Sequence, residues 1–345
     1  MTAASGPTPR LLTAGQLFLD LVFADLADAP RLGEEHWTPA FGWGPGGIAN
    51  YAIAAARLGV PTALTADVGD DAFSHLVRER LTDEGIAADL HERADWNLPV
   101  TTALGYGGDR ALVTGGRPAA PLASVLATAP VTPVAAVHID ASVSDWVRER
   151  AARGTKVFAD IGWDADESWD PDVLSVLDGC HAFLPNEAEA RAYTRRDDAR
   201  AAARALAERV PLSVVTRGGH GAIAVDSSTG EEIEVGAVRI DFVDATGAGD
   251  VFGGALAAAE LTAWALRERV DFATLVAAVT VSRPGGAAAS PRLDELVPWL
   301  DAHPGAADPA RFAFLRDALH DGAFPFDAAP HPRPLTPAPP TRIKE

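Results

Sequence analysis

Lysine is almost missing from this chain: of 345 residues only Lys156 and Lys344 carry an ammonium group, and Lys and Arg together number 29 against 48 Asp and Glu. The formal charge of −19 leaves none of the clustered cations needed to track a nucleic-acid backbone, so no nucleic acid is expected as a partner. Neither lysine lies in a GxxxxGK[ST] loop, which excludes a Walker-type P-loop and leaves backbone amides, arginine and metal for any handling of phosphate. Cysteine is scarcer still. Cys180 stands alone, so an intramolecular disulfide and a CxxC zinc pattern are excluded, which suits a reducing compartment, and its expected place is the core. The nine histidines show no HExxH or similar spacing, which argues against a dedicated zinc site. No run of 18 apolar residues occurs, and no basic stretch precedes an apolar core at the N-terminus. Neither a membrane span nor a secretory signal is expected, and the chain reads as cytoplasmic.

What is present has the balance of a folded enzyme, with 48% hydrophobic and 22% charged residues. The length accommodates one large α/β domain with an appendage, or two average domains. From about residue 11 to 300, short β-rich runs alternate with Ala-rich stretches, which predicts a doubly wound, mostly parallel sheet flanked by helices. Strands are expected over 11–18, 61–66, 134–139, 157–160, 182–184 and 212–216, and a helix over 48–58 behind the glycines at 42, 44, 46 and 47. Two stretches, 20–42 and about 86–117, break the rhythm. The second contains a hairpin, 100–106 with 111–114, turning at Gly107-Gly108-Asp109, so the two predict a small separate β-sheet. Beyond residue 301 one helical run, 309–319, precedes a Pro-rich tail from 325 to 340 that reads as extended chain.

The strongest motif is Asp244-Ala245-Thr246-Gly247-Ala248-Gly249-Asp250, placed between an apolar run over 238–243, expected as a strand, and a helix expected over 251–266. Its glycines let successive N–H groups turn toward one point, and the helix N-terminus adds positive potential there, which makes an anion hole suited to a phosphoryl group. Asp250 in that position is either a chemical group or a plain helix cap.

This string resembles the C-terminal signature of the ribokinase-like (PfkB) carbohydrate kinase family, and further segments resemble the family's motifs in order. They are GQLFLD over 15–20, the glycine pair Gly46-Gly47 with Asn50 ahead of AARLG, DVGDDAF over 67–73, NEAE over 186–189, TRGGHGA over 216–222 and AAVTVSRPGGAAASP over 277–291. The resemblance spans residues 11–300 and implies a ribokinase-like kinase domain whose lid is the small sheet from 20–42 and 86–117, with 301–345 as a C-terminal helix and tail. It implies ATP-dependent phosphorylation of a sugar hydroxyl, with ATP and Mg²⁺ as cofactors and K⁺ in several relatives. By resemblance, Asp250 is the general base and the amides of Gly247, Ala248 and Gly249 form the anion hole. Asp20, Gly46, Gly47 and Asn50 bind the acceptor. Asn186, Thr216, Arg217, Gly218 and Gly221 belong to the nucleotide, with Arg217 in reach of a phosphate. Glu189 organises Mg²⁺ through water, and Asp244 with carbonyls near 285–290 is the candidate for a monovalent cation. Asn186 and Glu189, as i and i+3, share a helix face, which also fits an ordinary polar helix start.

The family's DxNxR-like string is replaced by Asp160-Ile161-Gly162-Trp163-Asp164, which points away from a sugar acid or sugar phosphate. Trp37, Phe41 and Trp43 in the lid region offer rings to a nucleobase or sugar face, so a nucleoside is the alternative acceptor, although such clusters also serve lid packing. Pairing of lids in relatives implies a homodimer. Two rivals of another class are a dinucleotide-binding oxidoreductase and a non-catalytic sugar sensor. The first needs GxGxxG after the first strand, where this chain has Gly15-Gln16-Leu17, and the second is opposed by the intact GAGD.

Overall fold

The apolar run at 11–18 divides at Gly15 and Gln16 into two strands that belong to different sheets, β1 (Leu11–Ala14) and β2 (Leu17–Phe23). The computed structural model describes residues 7–107, 109–161 and 168–320. After β2 the chain makes a long excursion and returns as β3 (Phe41–Gly47), α1 (Ile48–Arg57), β4 (Thr62–Val68), α2 (Ala72–Asp83) and β5 (Ala87–Glu92). A hairpin follows, β6 (Val100–Tyr106) and β7 (Asp109–Gly115), then the short α3 (Ala123–Leu126), β8 (Val134–His138), α4 (Ser144–Ala152), β9 (Lys156–Asp160) and β10 (Ala182–Phe183). Next come α5 (Glu187–Thr194), α6 (Ala199–Leu206), β11 (Leu212–Thr216), β12 (Ala222–Asp226) and β13 (Glu231–Val235). Helices α7 (Ala248–Ala259), α8 (Leu266–Val281), α9 (Leu293–Ala302) and α10 (Ala313–His320) complete the order.

The large sheet runs β13-β12-β11-β10-β9-β8-β1-β4-β5, parallel from β11 to β5 and antiparallel only where β12 and β13 turn back. Parallel strands need covered faces, and the sequence supplies two apolar layers. Against one face pack α1, α7 and α8 with Ile53, Leu256 and Phe272; against the other lie α4 to α6 with Val147, Tyr193 and Leu206. Phe158 and Phe272, at 1% and 0% exposure, each contribute roughly 1.5–3 kcal/mol by leaving water. Local caps fix where helices begin: Asp71 accepts the N–H groups of Phe73 and Ser74 ahead of α2, and Asp198 accepts that of Ala201 ahead of α6. The small sheet, β3-β2-β6-β7, lies apart, with β2 antiparallel to β3 and parallel to β6.

Three expectations are corrected. Residues 87–92, expected in the lid, form β5 and pair with β4 at the edge of the large sheet, so the small sheet draws on 17–23, 41–47, 100–106 and 109–115 instead. The run 238–243 is not a strand. Its N–H groups bond to irregular chain and a helix end, Arg239 to the Ala306 carbonyl and Val243 to the Val281 carbonyl. Third, the helix expected over 251–266 begins at Ala248 and ends at Ala259, because the Thr262 hydroxyl accepts the Trp264 N–H and breaks the run before α8. The Pro-rich tail and residues 162–164 of the string after β9 lie outside the described residues.

Candidate active site

Parallel strands place their carboxyl ends along one edge, and ligands of open α/β sheets bind in the crevice beyond that edge. Here the edge collects His138 at the end of β8, Asp160 at the end of β9, Asn186 just past β10 and Thr216 at the end of β11. An isolated parallel bridge joins Asn186 to Thr216, so two of the residues expected at the nucleotide are neighbours.

Opposite that edge, α1 and α7 meet closely. A Cβ on Gly253 would collide with the Tyr51 ring, so only glycine allows this approach. The contact brings Asn50 of α1 against Asp250 in the first turn of α7: Asn50 Nδ2 donates to Asp250 Oδ2 at 2.7 Å, across 200 residues of sequence. Gly247, at φ 70°, supplies the left-handed residue that opens α7. Of the three amides expected in the anion hole, those of Gly247, Ala248 and Gly249, that of Ala248 donates to the Ala245 carbonyl at 3.1 Å.

Asp20 lies on β2 of the small sheet. Its carboxylate occupies the space where a Cβ of Gly46 would stand, which explains the glycine there. Burial pushes the Asp20 carboxyl up to about 7. Asp250 is also pushed up to about 7, first by burial and then by the Asp160 charge, with Asp20 adding to it, while the Asn50 hydrogen bond and the Arg110 charge act in the other direction. The expected acceptor residues Asp20, Gly46 and Asn50 are thus gathered beside Asp250. Gly47, at φ 62°, turns the chain from β3 into α1.

Asp160 was not among the expected site residues, yet it links the site. Tyr51 donates its hydroxyl to Asp160 Oδ2 at 3.1 Å, and His138 Nε2 lies 3.7 Å from the same oxygen. The Gln16 N–H donates to His138 Nδ1 at 3.2 Å, so a neutral imidazole carries its proton on Nε2, facing Asp160. Burial lowers the His138 pKa, against the pull of Asp160, and favours that neutral form. Arg110 was missed as well. The available signal for Asp160 and His138 was a polar residue ending an apolar strand, VFAD and VAAVH; for Arg110 it was a cation at a hairpin turn in a chain short of cations.

Asn186 and Glu189 form a capping box for α5: Glu189 N–H donates to Asn186 Oδ1 and Asn186 N–H to Glu189 Oε2, both at 3.0 Å. Burial raises the Glu189 carboxyl, and the Asp160 charge adds to this. Among the described residues no group of three or more His, Cys, Asp or Glu is arranged to hold a metal ion alone. Two mutually repelling carboxylates, Glu189 and Asp160, fit a hydrated divalent cation that a nucleotide's phosphates would share. Gly218 and Gly221 have positive φ and shape the loop after β11. Arg217, expected at a phosphate, donates from Nη2 to Glu234 of β13 at 2.6 Å and to the His220 carbonyl of its own loop at 3.0 Å. Asp244 accepts N–H groups from Thr246 at 2.9 Å, Gly286 at 2.8 Å and Gly285 at 3.3 Å, clamping the anion-hole turn to the 285–290 loop. Arg57 holds that loop from the other side through the Ala288 and Ser290 carbonyls, at 2.8 and 2.7 Å.

Residues 10–293 match the family model of pfkB family carbohydrate kinases, and the chain belongs to that family. Among curated relatives, it is 27% identical over 319 residues to a ribokinase of Schizosaccharomyces pombe, covering 83% of this chain and 96% of the relative. A deoxyribokinase of Salmonella typhi is 26% identical over 284 residues, covering 79% and 92%. The fold matches Arabidopsis thaliana ribokinase complexed with ribose and ATP, with a TM-score of 0.69, 21% identity and coverage of 85% and 98%. It also matches a candidate ribokinase II of Escherichia coli in complex with ATP and Mg²⁺, with a TM-score of 0.71, 20% identity and coverage of 86% and 100%. Among the described residues, no helix is long and apolar enough to cross a membrane.

Proposed function

We propose that the chain transfers the γ-phosphoryl group of ATP to a hydroxyl of a small neutral sugar, with Asp250 as general base. The observation that carries this reading is the Asn50–Asp250 pair at the N-terminus of α7, a carboxyl raised to about 7 beside amides that suit an anion. A base needs a pKa near the working pH and a place within reach of the hydroxyl it deprotonates. The acceptor oxygen attacks phosphorus, its proton passes to Asp250, and the bond to ADP breaks; the amides of Gly247 and Gly249 hold charge on the moving group. Asp20 and Asn50 orient the acceptor by hydrogen bonds to its hydroxyls. Mg²⁺, when bound with ATP, supplies charge neutralisation, and Glu189 with Asp160 would hold it through water.

A neutral acceptor is favoured because Asp20, Asp160 and Asp250 would repel a carboxylate or phosphate on it. A nucleoside is the second reading, supported by exposed indoles at Trp37 and Trp43; Phe41 packs on Phe23 at 5.0 Å between centroids and belongs to the lid itself. Asp244, which clamps the 285–290 loop, is with the carbonyls of that loop also the candidate to hold a monovalent cation. Pairing of two chains through the small sheet is part of the same reading, since β7 is an edge strand that exposes Leu112 and Val113. ADP release from ATP and Mg²⁺, measured with a panel of ribose, deoxyribose, fructose, adenosine, inosine and pseudouridine, tests the reading. Failure of every acceptor to raise ADP release over the no-acceptor control would overturn it.

A further inference from the structure

The described site is rich in carboxylates, and phosphoryl transfer gathers negative charge on three equatorial oxygens. On the kinase reading, backbone amides of Gly247 and Gly249 would meet that charge, yet the lysine that a P-loop would contribute is missing from the chain. The arginines near the site are mostly engaged. Arg217 bonds Glu234, and Arg57 bonds Glu84 and the 285–290 loop. Arg110 is different. It sits where β7 leaves the turn of the lid hairpin, and its one ion pair among the described residues is with adjacent Asp109 at 3.7 Å. A cavity of about 150 Å³ separates that turn from the Phe242–Ala245 segment that leads into the anion hole, and Arg110 and Tyr106 line it from the lid side.

Resting on the kinase reading above, we propose that Arg110 is a catalytic residue carried by the lid, whose guanidinium crosses this cavity to contact the phosphoryl group in flight. During the step, the acceptor oxygen forms the new P–O bond, its proton goes to Asp250 and ADP leaves with the electron pair of the broken bond. Total charge is unchanged while it redistributes over the equatorial oxygens, and a planar guanidinium offers them two parallel N–H donors. Arg110 is also the cation whose charge acts on the Asp250 carboxyl, so it lies within electrostatic range of the reacting centre. Its placement on the small sheet, while Asp250 belongs to the large-sheet body, makes the contact depend on how the two sheets stand.

The test compares wild type with Arg110→Ala, Arg110→Lys and Asp109→Ala, each with ATP, Mg²⁺ and the acceptor found active. Arg110→Ala is expected to lower kcat roughly 10²- to 10³-fold, the effect of losing one preorganised donor to the transition state, with KM for ATP changed less than about threefold. Its melting temperature should match wild type, and the apparent pKa of the base in the kcat profile should rise. Millimolar guanidinium should restore part of the rate to Arg110→Ala and none to Asp250→Asn. Asp109→Ala should retain wild-type kcat. An active wild type with Arg110→Ala within about threefold in kcat, or one not rescued by guanidinium, overturns this inference alone. A wild type inactive with every acceptor overturns the kinase reading and this inference together.

Discussion

At the scale of single residues, Asp250 decides between chemistry and architecture. Asn caps a helix as well as Asp and keeps the Asn50 contact within reach, so Asp250→Asn should fold normally. On the proposed reading, loss of the proton acceptor should lower kcat roughly 10²- to 10⁴-fold with little change in KM, measured by steady-state turnover on protein that still melts cooperatively. The pH profile follows from the neighbours. Burial first, then the Asp160 and Asp20 charges, push the Asp250 carboxyl up to about 7, while Asn50 and Arg110 oppose them, so kcat should climb through neutrality as the proposed base loses its proton. Asp160→Asn removes the larger of the two repelling charges, and its profile should shift to lower pH. An unmoved profile would show that the Asp160 charge does not act on Asp250. Such a carboxylate network was legible in part: Asp20, Asn50 and Asp250 were named by motif, whereas Asp160, His138 and Tyr51 meet only through three-dimensional packing.

Elements carry the distances on which those residues depend. Gly253→Ala places a methyl group against the Tyr51 ring and must push α1 from α7, an overpacking that costs about 1–3 kcal/mol. A melting temperature lower by several degrees and a kcat lower by about tenfold are expected, since the Asn50–Asp250 pair spans that seam. Gly46→Ala acts on β2 and β3 instead. The added methyl displaces the Asp20 carboxylate, so KM for the acceptor should rise about tenfold while stability changes little. Alternation of strand and helix was readable because buried parallel strands are continuous apolar runs. Division of the first run was not, since LLTAGQLFL stays apolar on both sides of the break. Residues 87–92, AADLHE, carry no strand pattern because an edge strand with little burial needs none, and 238–243, VRIDFV, looks like a strand because apolar and charged residues alternate there, although of its apolar members Val238 and Ile240 pack on the core while Phe242 is exposed.

For the whole molecule, charge and protonation set stability. Asp20 and Asp250 hold protons in the folded chain up to about pH 7 that the unfolded chain releases near its ordinary carboxylate value, so the folded state binds more protons between those limits. Their contribution to stability therefore falls as pH rises through that window. Thermal melting should show a decline from about pH 4 to 7, flattened in Asp250→Asn, and a pH-independent difference between the two proteins would remove Asp250 from the linkage. A net charge of −19 adds self-repulsion, so moderate salt should raise the melting temperature by a few degrees. Gly15 and Gln16 join the two sheets, with Gly15 pressed so close to His138 that a Cβ would stand 2.6 Å from the ring. Asp20 rides on one side of this junction, and Asp250 with its amides on the other. On the proposed reading a sugar offers several hydroxyls to Asp20 and Asn50 at once, whereas water brings a single oxygen, so water should do less to draw the two halves of the site together. Idle hydrolysis of ATP should accordingly be slow when the acceptor is missing, as ADP release without acceptor would measure, and on this reading the junction, rather than any single side chain, would spare the donor.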